Sequence, residues 1–103
     1  MDRFVPRSLL GERLIARRDE LLAAADRRGL EEVRTFGSVV RGEDTEGSDI
    51  DLLVRRLSGS RALSVIGFEE DVEALLGVSV DVVSDSGLSD RSREEILATA
   101  VPL

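Results

Sequence analysis

Gly37-Ser38-Val39-Val40-Arg41-Gly42, followed after a polar stretch by Ser48-Asp49-Ile50-Asp51-Leu52-Leu53-Val54, is the part of the sequence that decides the fold. Asp49 to Arg55 reads as a strand, because Ile50, Leu52, Leu53 and Val54 make an almost continuous apolar run. Residues two apart on a strand share a face, so Asp49 and Asp51 point the same way while Ile50 and Leu52 point into the core. At ~3.3 Å per residue their β-carbons stand about 7 Å apart. Two metal ions about 3.5–4 Å apart fit between carboxylates so spaced. Upstream, Val33 to Phe36 reads as a short strand broken by Gly37-Ser38, with a short helix from Val39. A glycine at a strand end lets backbone approach a ligand closely. Ser38 at a helix start offers a hydroxyl and nearby free N–H groups to phosphate, and Arg41 reaches the same anion or pairs with a neighbouring acid.

Each half alone has an ordinary reading. Asp-x-Asp is a common solvated strand feature, and Gly-Ser before a helix is a common N-cap. Together they are more specific. Asp51 interrupts an apolar strand, and Asp81 interrupts a second one in which Val78, Val80 and Val82 alternate with Ser79, Asp81 and Val83. A carboxylate on a mostly buried strand is costly unless paired or metal-bound. If these two strands are neighbours, Asp81 joins Asp49 and Asp51. Three converging carboxylates repel, and Mg²⁺ with oxygen ligands relieves that repulsion and recruits phosphate oxygens.

The surrounding chain supplies layers for this centre. Pro6 stands where a first helix of about 20 residues can begin, with Leu10, Leu14, Leu21, Leu22 and Ala25 on its apolar face. Arg27 and Arg28 suit its last turn, and Gly29 stops it. Residues 43–48 are a polar loop, and Ser58-Gly59-Ser60 is a turn. Val65, Phe68, Val72, Leu75 and Leu76 recur at helical spacing up to Gly77. A last helix is expected from Asp90 to Ser92 onward, with Ser92 and Glu95 at capping-box spacing and Ile96, Leu97, Ala100 and Val101 apolar. The implied class is α/β (α+β): a small mixed sheet of three or more strands with helices packed on it.

Composition narrows the chemistry. The chain has 103 residues, read as a single domain over 1–103. His and Cys are absent, which removes histidine bases, Ser-His-Asp triads, thiolate zinc sites and disulfides. Catalysis must rest on carboxylates, hydroxyls, arginine and metal. The net charge of −7 and only three aromatics, Phe4, Phe36 and Phe68, argue against a direct nucleic-acid surface. No apolar run approaches the length of a membrane span, and the start does not read as a signal peptide, so a soluble, cytoplasmic protein is expected.

The two segments above resemble the signature of the nucleotidyltransferase superfamily that includes DNA polymerase β, and their spacing is similar to that of the minimal nucleotidyltransferase antitoxins. Val80-Asp81-Val82-Val83 resembles the strand of the third carboxylate in that family. Glu94-Glu95-Ile96-Leu97, with Ala100 to Leu103, resembles its closing helix. The resemblance runs from about residue 8 to the end, with the central motif specific and the flanking helices generic. It implies the minimal nucleotidyltransferase fold. It implies that Gly37 and Ser38, with Arg41 and Ser48 beside them, hold the triphosphate of ATP. It further implies that Asp49 and Asp51 ligate two Mg²⁺, and that Asp81 is the third ligand or the base toward the attacking hydroxyl. Two features depart from the pattern: the loop Glu43-Asp44-Thr45-Glu46 is unusually acidic beside a phosphate site, and a few more residues are expected beyond Leu103.

The implied function is Mg²⁺-dependent transfer of AMP from ATP to a hydroxyl of a partner, a HEPN-type ribonuclease toxin, in a hetero-oligomer. The chain has no Tyr, so a tyrosine acceptor lies on the partner. Two alternatives stand beside it. One is an antitoxin that only binds and occludes the toxin. The other is a small-molecule nucleotidyltransferase, which would need an acceptor-binding domain from elsewhere.

Overall fold

In the computed structural model, which describes residues 3–45 and 47–103, a four-stranded mixed sheet has the order β3-β2-β1-β4. The strands are β1 (Leu30–Phe36), β2 (Ile50–Arg56), β3 (Val80–Ser84) and β4 (Val101–Pro102). β1 runs antiparallel to both neighbours, whereas β2 and β3 are parallel. Around them lie α1 (Leu9–Ala16), α2 (Arg18–Arg27), α3 (Ser38–Arg41), α4 (Leu63–Leu76) and α5 (Asp90–Thr99). A parallel pair needs a crossover, and α4 supplies it. Its Phe68, Val72 and Leu76 are buried with Ile50, Leu52 and Val54 of β2, Val80 and Val82 of β3, and Leu21, Ala24 and Ala25 of α2.

The expected elements are present with shifted bounds. The single first helix is two helices. At Arg17 (φ −114°, ψ 20°) the N–H bonds to Leu14 O at 3.3 Å, a tighter i−3 contact that ends α1 before α2 begins. Ser8, rather than Pro6, starts α1, its hydroxyl accepting from Gly11 N at 3.0 Å. β1 begins at Leu30, three residues earlier than its apolar alternation suggests. A bulge between Glu31 and Arg34, with Glu32 at φ +51°, adds one residue and shifts parity. Leu30, Val33 and Thr35 are therefore all buried on a strand that does not alternate simply. The last helix is capped by Ser89, which accepts from Ser92 N at 3.2 Å, so Ser92 is the third helical residue and not the cap. Ala100 and Val101 lie beyond that helix, Val101 pairing with Thr35 in β4.

β3 forms one edge of the sheet. Edge strands carry N–H groups with no ladder partner. Here Val80 N donates to Glu73 Oε2 at 3.1 Å and Val82 N to Glu69 Oε1 at 2.9 Å, both acceptors reaching over from α4.

Candidate active site

At one level of the sheet, Phe36 of β1, Asp51 of β2 and Asp81 of β3 are paired in register. Asp51 and Asp81 thus stand side by side on neighbouring strands, and alternation sends them to the face opposite Ile50, Leu52 and Val54. Asp49 precedes β2 by one residue, where Ile50 N donates to Ser79 O at 3.0 Å and ties the two strand entrances together. The sequence expectation that the second and third strands are neighbours is met.

Gly37 follows Phe36 and caps α3 with φ 79° and ψ −150°, a conformation open in practice to glycine alone. It is demanded twice. A β-carbon at this position would fall on Asp51 Oδ2 and come within 3.3 Å of Asp51 Cγ. The carboxyl group of Asp51 therefore lies directly against the backbone at the entrance of α3, whose first N–H groups have no partner inside the helix. Ser38 is half-buried as the first residue of that helix.

Burial raises the Asp51 carboxyl above its ordinary range, the charges of Asp81 and then Asp49 push it further, and Arg41 pulls it back. Asp51 therefore feels both other aspartates, and Arg41 is near enough to act on it. The Arg41 guanidinium also pairs with Glu43, Nε to Oε2 at 2.9 Å, so of its two readings the acidic partner is the one seen. Ser48 closes a turn: its hydroxyl accepts from Thr45 N at 2.8 Å and its own N–H donates to Thr45 O at 3.0 Å. That turn delivers Asp49 to the site. Of the acidic loop, Glu43 is engaged by Arg41, Asp44 is half-buried, and Glu46 lies outside the described residues, as do Met1 and Asp2.

Among the described residues no three acidic side chains converge to enclose a metal ion. The expected triad is thus an open array and not a cage. This fits Mg²⁺, which is usually held by one or two carboxylates with the remaining positions left to water and substrate phosphates. It also fits a site whose central carboxyl is destabilised by burial and then by its neighbours, with its space kept clear by a missing β-carbon.

Sequence reasoning missed Thr35. It is fully buried, and its hydroxyl donates to the backbone carbonyl of Asp51 at 2.9 Å, fastening β1 to β2 at the level of the site. The available signal was a single hydroxyl two residues before Gly37 on an otherwise apolar inward face.

The chain matches the profile of the nucleotidyltransferase domain over residues 18–101, a span that holds every residue of this site. It is 42% identical over 76 residues to the protein adenylyltransferase MntA of Thermococcus cleftensis, covering 74% of this chain and 77% of that one. The fold is similar to a solved structure described as a minimal nucleotidyltransferase, with a TM-score of 0.82, 48% identity, and 89% and 94% of the two chains covered. It is also similar to a crystal structure of a toxin–antitoxin with AMP-PNP, with a TM-score of 0.70 over 82% of this chain and 69% of that one. Identity there is 17%, and the likeness is one of fold.

Proposed function

We propose that this chain, which belongs to the nucleotidyltransferase domain family and is a nucleotidyltransferase, moves AMP from ATP to a hydroxyl of a partner toxin and so acts as its antitoxin. The observation that carries the reading is the Asp51 carboxyl, pressed against Gly37 at the start of α3 and paired in register with Asp81. A triphosphate lying over Gly37 and Ser38 is thereby brought beside the aspartates. The similarity to a protein adenylyltransferase favours ATP as donor and a protein side chain as acceptor.

The reaction is an in-line displacement at the α-phosphorus. The acceptor oxygen forms its bond to phosphorus, the bond to the β-phosphate bridging oxygen breaks, and pyrophosphate departs. Asp81 is exposed at the sheet edge, open to an arriving partner, and its carboxylate takes the hydroxyl proton. Gly37 and Ser38 orient the phosphates through backbone N–H groups, and Arg41 offsets charge when it leaves Glu43. Asp49, Asp51 and Asp81 would hold Mg²⁺, which when bound neutralises charge on the attacking and leaving oxygens. With no Tyr on this chain, a tyrosine acceptor belongs to the partner, for which a HEPN-type ribonuclease is our assignment.

Exposed Leu63 and Ile66 on α4, with Leu57 before it, favour a partner-binding face and keep a second reading open, in which binding alone silences the toxin. One experiment separates the two. The chain, ATP, Mg²⁺ and the product of whichever gene adjoins its own are incubated, and intact masses are measured. The expected result is an added AMP on the toxin, lost in Asp49→Asn/Asp51→Asn. Transfer that persists in this folded double variant would overturn the assignment, and protection without any mass change would establish occlusion.

A further inference from the structure

We propose that Glu69 and Glu73 are positioning residues that hold β3 in register so that Asp81 stays opposite Asp51. β3 is five residues long and has a strand neighbour on one side only. Asp81 is itself exposed, so no packing around its side chain fixes where it stands. Its place depends on the backbone of Val80 and Val82, and those are the two N–H groups bonded by Glu73 and Glu69. The geometry of the two elements matches. Two residues of strand advance about 6.6 Å and four residues of helix about 6 Å. One face of α4 therefore offers acceptors at the repeat at which the edge strand offers donors. A slip of β3 by one residue along α4 would break both bonds and turn Asp81 toward the core. The clamp also works against a force. The repulsion between Asp51 and Asp81 acts directly on an edge strand of the sheet, and hydrogen bonds to charged acceptors are stronger than neutral ones.

Edge strands are also blunted simply to prevent intermolecular pairing, and the test has to separate that role from positioning. The inference rests on the transfer reading for its consequence and on the hydrogen bonds for its premise, so both are measured. Glu69→Ala/Glu73→Ala removes the acceptors, whereas Glu69→Gln/Glu73→Gln keeps a carbonyl oxygen in each place. Amide exchange at Val80 and Val82, broadening of the Asp51 and Asp81 amides by Mn²⁺ alone, and kcat and KM for ATP with the toxin as acceptor are recorded for each full-length variant. In the alanine variant, exchange at both valines rises at least about tenfold, the decade that one such bond represents. Mn²⁺ broadening persists at Asp51 and falls at Asp81. kcat falls at least about tenfold while KM for ATP moves less than about twofold, the pattern of an interaction made in the transition state. The glutamine variant recovers most of each. A folded alanine variant that self-associates yet keeps wild-type broadening and kcat makes the glutamates edge guards and overturns the proposal. So does a loss that glutamine does not recover. If the double variant does not fold, Glu69→Ala alone carries the same readouts at Val82. If the wild-type chain transfers no AMP, the transfer reading fails, and exchange and broadening still decide the clamp.

Discussion

Gly37→Ala tests whether the site is built around a missing β-carbon. The conformation at Gly37 costs a non-glycine residue of order 1–3 kcal/mol. The new methyl also lands on Asp51 Oδ2, and turning that side chain off its rotamer adds about 0.5–1.5 kcal/mol. The sum is about 1.5–4.5 kcal/mol. For a domain of this size each kcal/mol lowers Tm by roughly 4 °C, so thermal unfolding should shift down by about 6–18 °C. Transfer should fall more than stability implies, by at least about a hundredfold, because a displacement of about 1 Å in a reacting group suffices for that loss.

The two contributions separate in a double-mutant cycle. Asp51→Ala removes the atoms that the methyl would meet and leaves the backbone cost in place. In that background Gly37→Ala should cost about 1 kcal/mol less than in the wild type, a coupling measurable by urea unfolding of the four proteins without metal. Additive costs would show that Asp51 does not lie against Gly37. A Gly37→Ala protein with wild-type Tm and transfer rate would refute the whole construction.

Three further outcomes follow from the same geometry. The Asp51 carboxyl is held above its ordinary range by burial, Asp81 and Asp49, so the folded state binds its proton more tightly than the unfolded state; the metal-free domain should lose stability as pH rises from the ordinary carboxylate value through the raised one, and Asp51→Asn or added Mg²⁺ should flatten that slope in pH-dependent melting curves. Asp71, bonded by Arg28 at 2.8 and 3.2 Å and lowered by that bond, has the opposite sign: its contribution is present above the ordinary value and disappears as pH falls through the lowered one, and because the pair is more than a third exposed, Asp71→Asn should cost less than about 1 kcal/mol by urea unfolding. Thr35→Val should cost about 1–2 kcal/mol through the lost bond to the Asp51 carbonyl and should slow transfer without changing the partner's affinity, checked by unfolding and by a binding titration side by side.

What the sequence disclosed and what it concealed divide along one line. Asp51 and Asp81 were legible because charge on an apolar strand is expensive and period two states which face it takes, whereas Asp49, expected as the first residue of that strand, stands one residue before it and is exposed. Gly37 was legible because it breaks a strand just before a polar, helix-starting residue. The bulge at Glu31 to Arg34 was not legible, since it leaves no residue of unusual type: Glu32 adopts a positive φ without being Gly or Asn. β4 was hidden for a related reason. Two residues, one of them Pro102, have no periodicity, and their pairing with Arg34 and Thr35 is known only from the far strand. Glu69 and Glu73 read as solvated positions on a helix until β3 is placed beside them. Each miss is a long-range contact made by residues that are locally ordinary.

The bulge and the buried Thr35 together explain why this sheet can carry the site. Without the extra residue, the alternation that buries Leu30 would turn Val33 and Thr35 outward, and the bond from Thr35 to the Asp51 carbonyl could not form. With it, Leu30 stays in the core while Thr35 faces inward two residues before Gly37, so the strand ends at Phe36, level with Asp51, and Gly37 meets the Asp51 carboxyl. β4 then pairs with Arg34 and Thr35, and Leu103 N donates to Val33 O at 3.2 Å, bracing the same few residues from the other side. The end of β1 beside Gly37 is therefore held on both flanks, by β2 and by β4, while the opposite end absorbs the irregularity. The strand at the other edge is held by β2, by the packing of Val80 and Val82 against α4, and by two glutamates on its open side, which makes β3 the element through which the position of Asp81 is set.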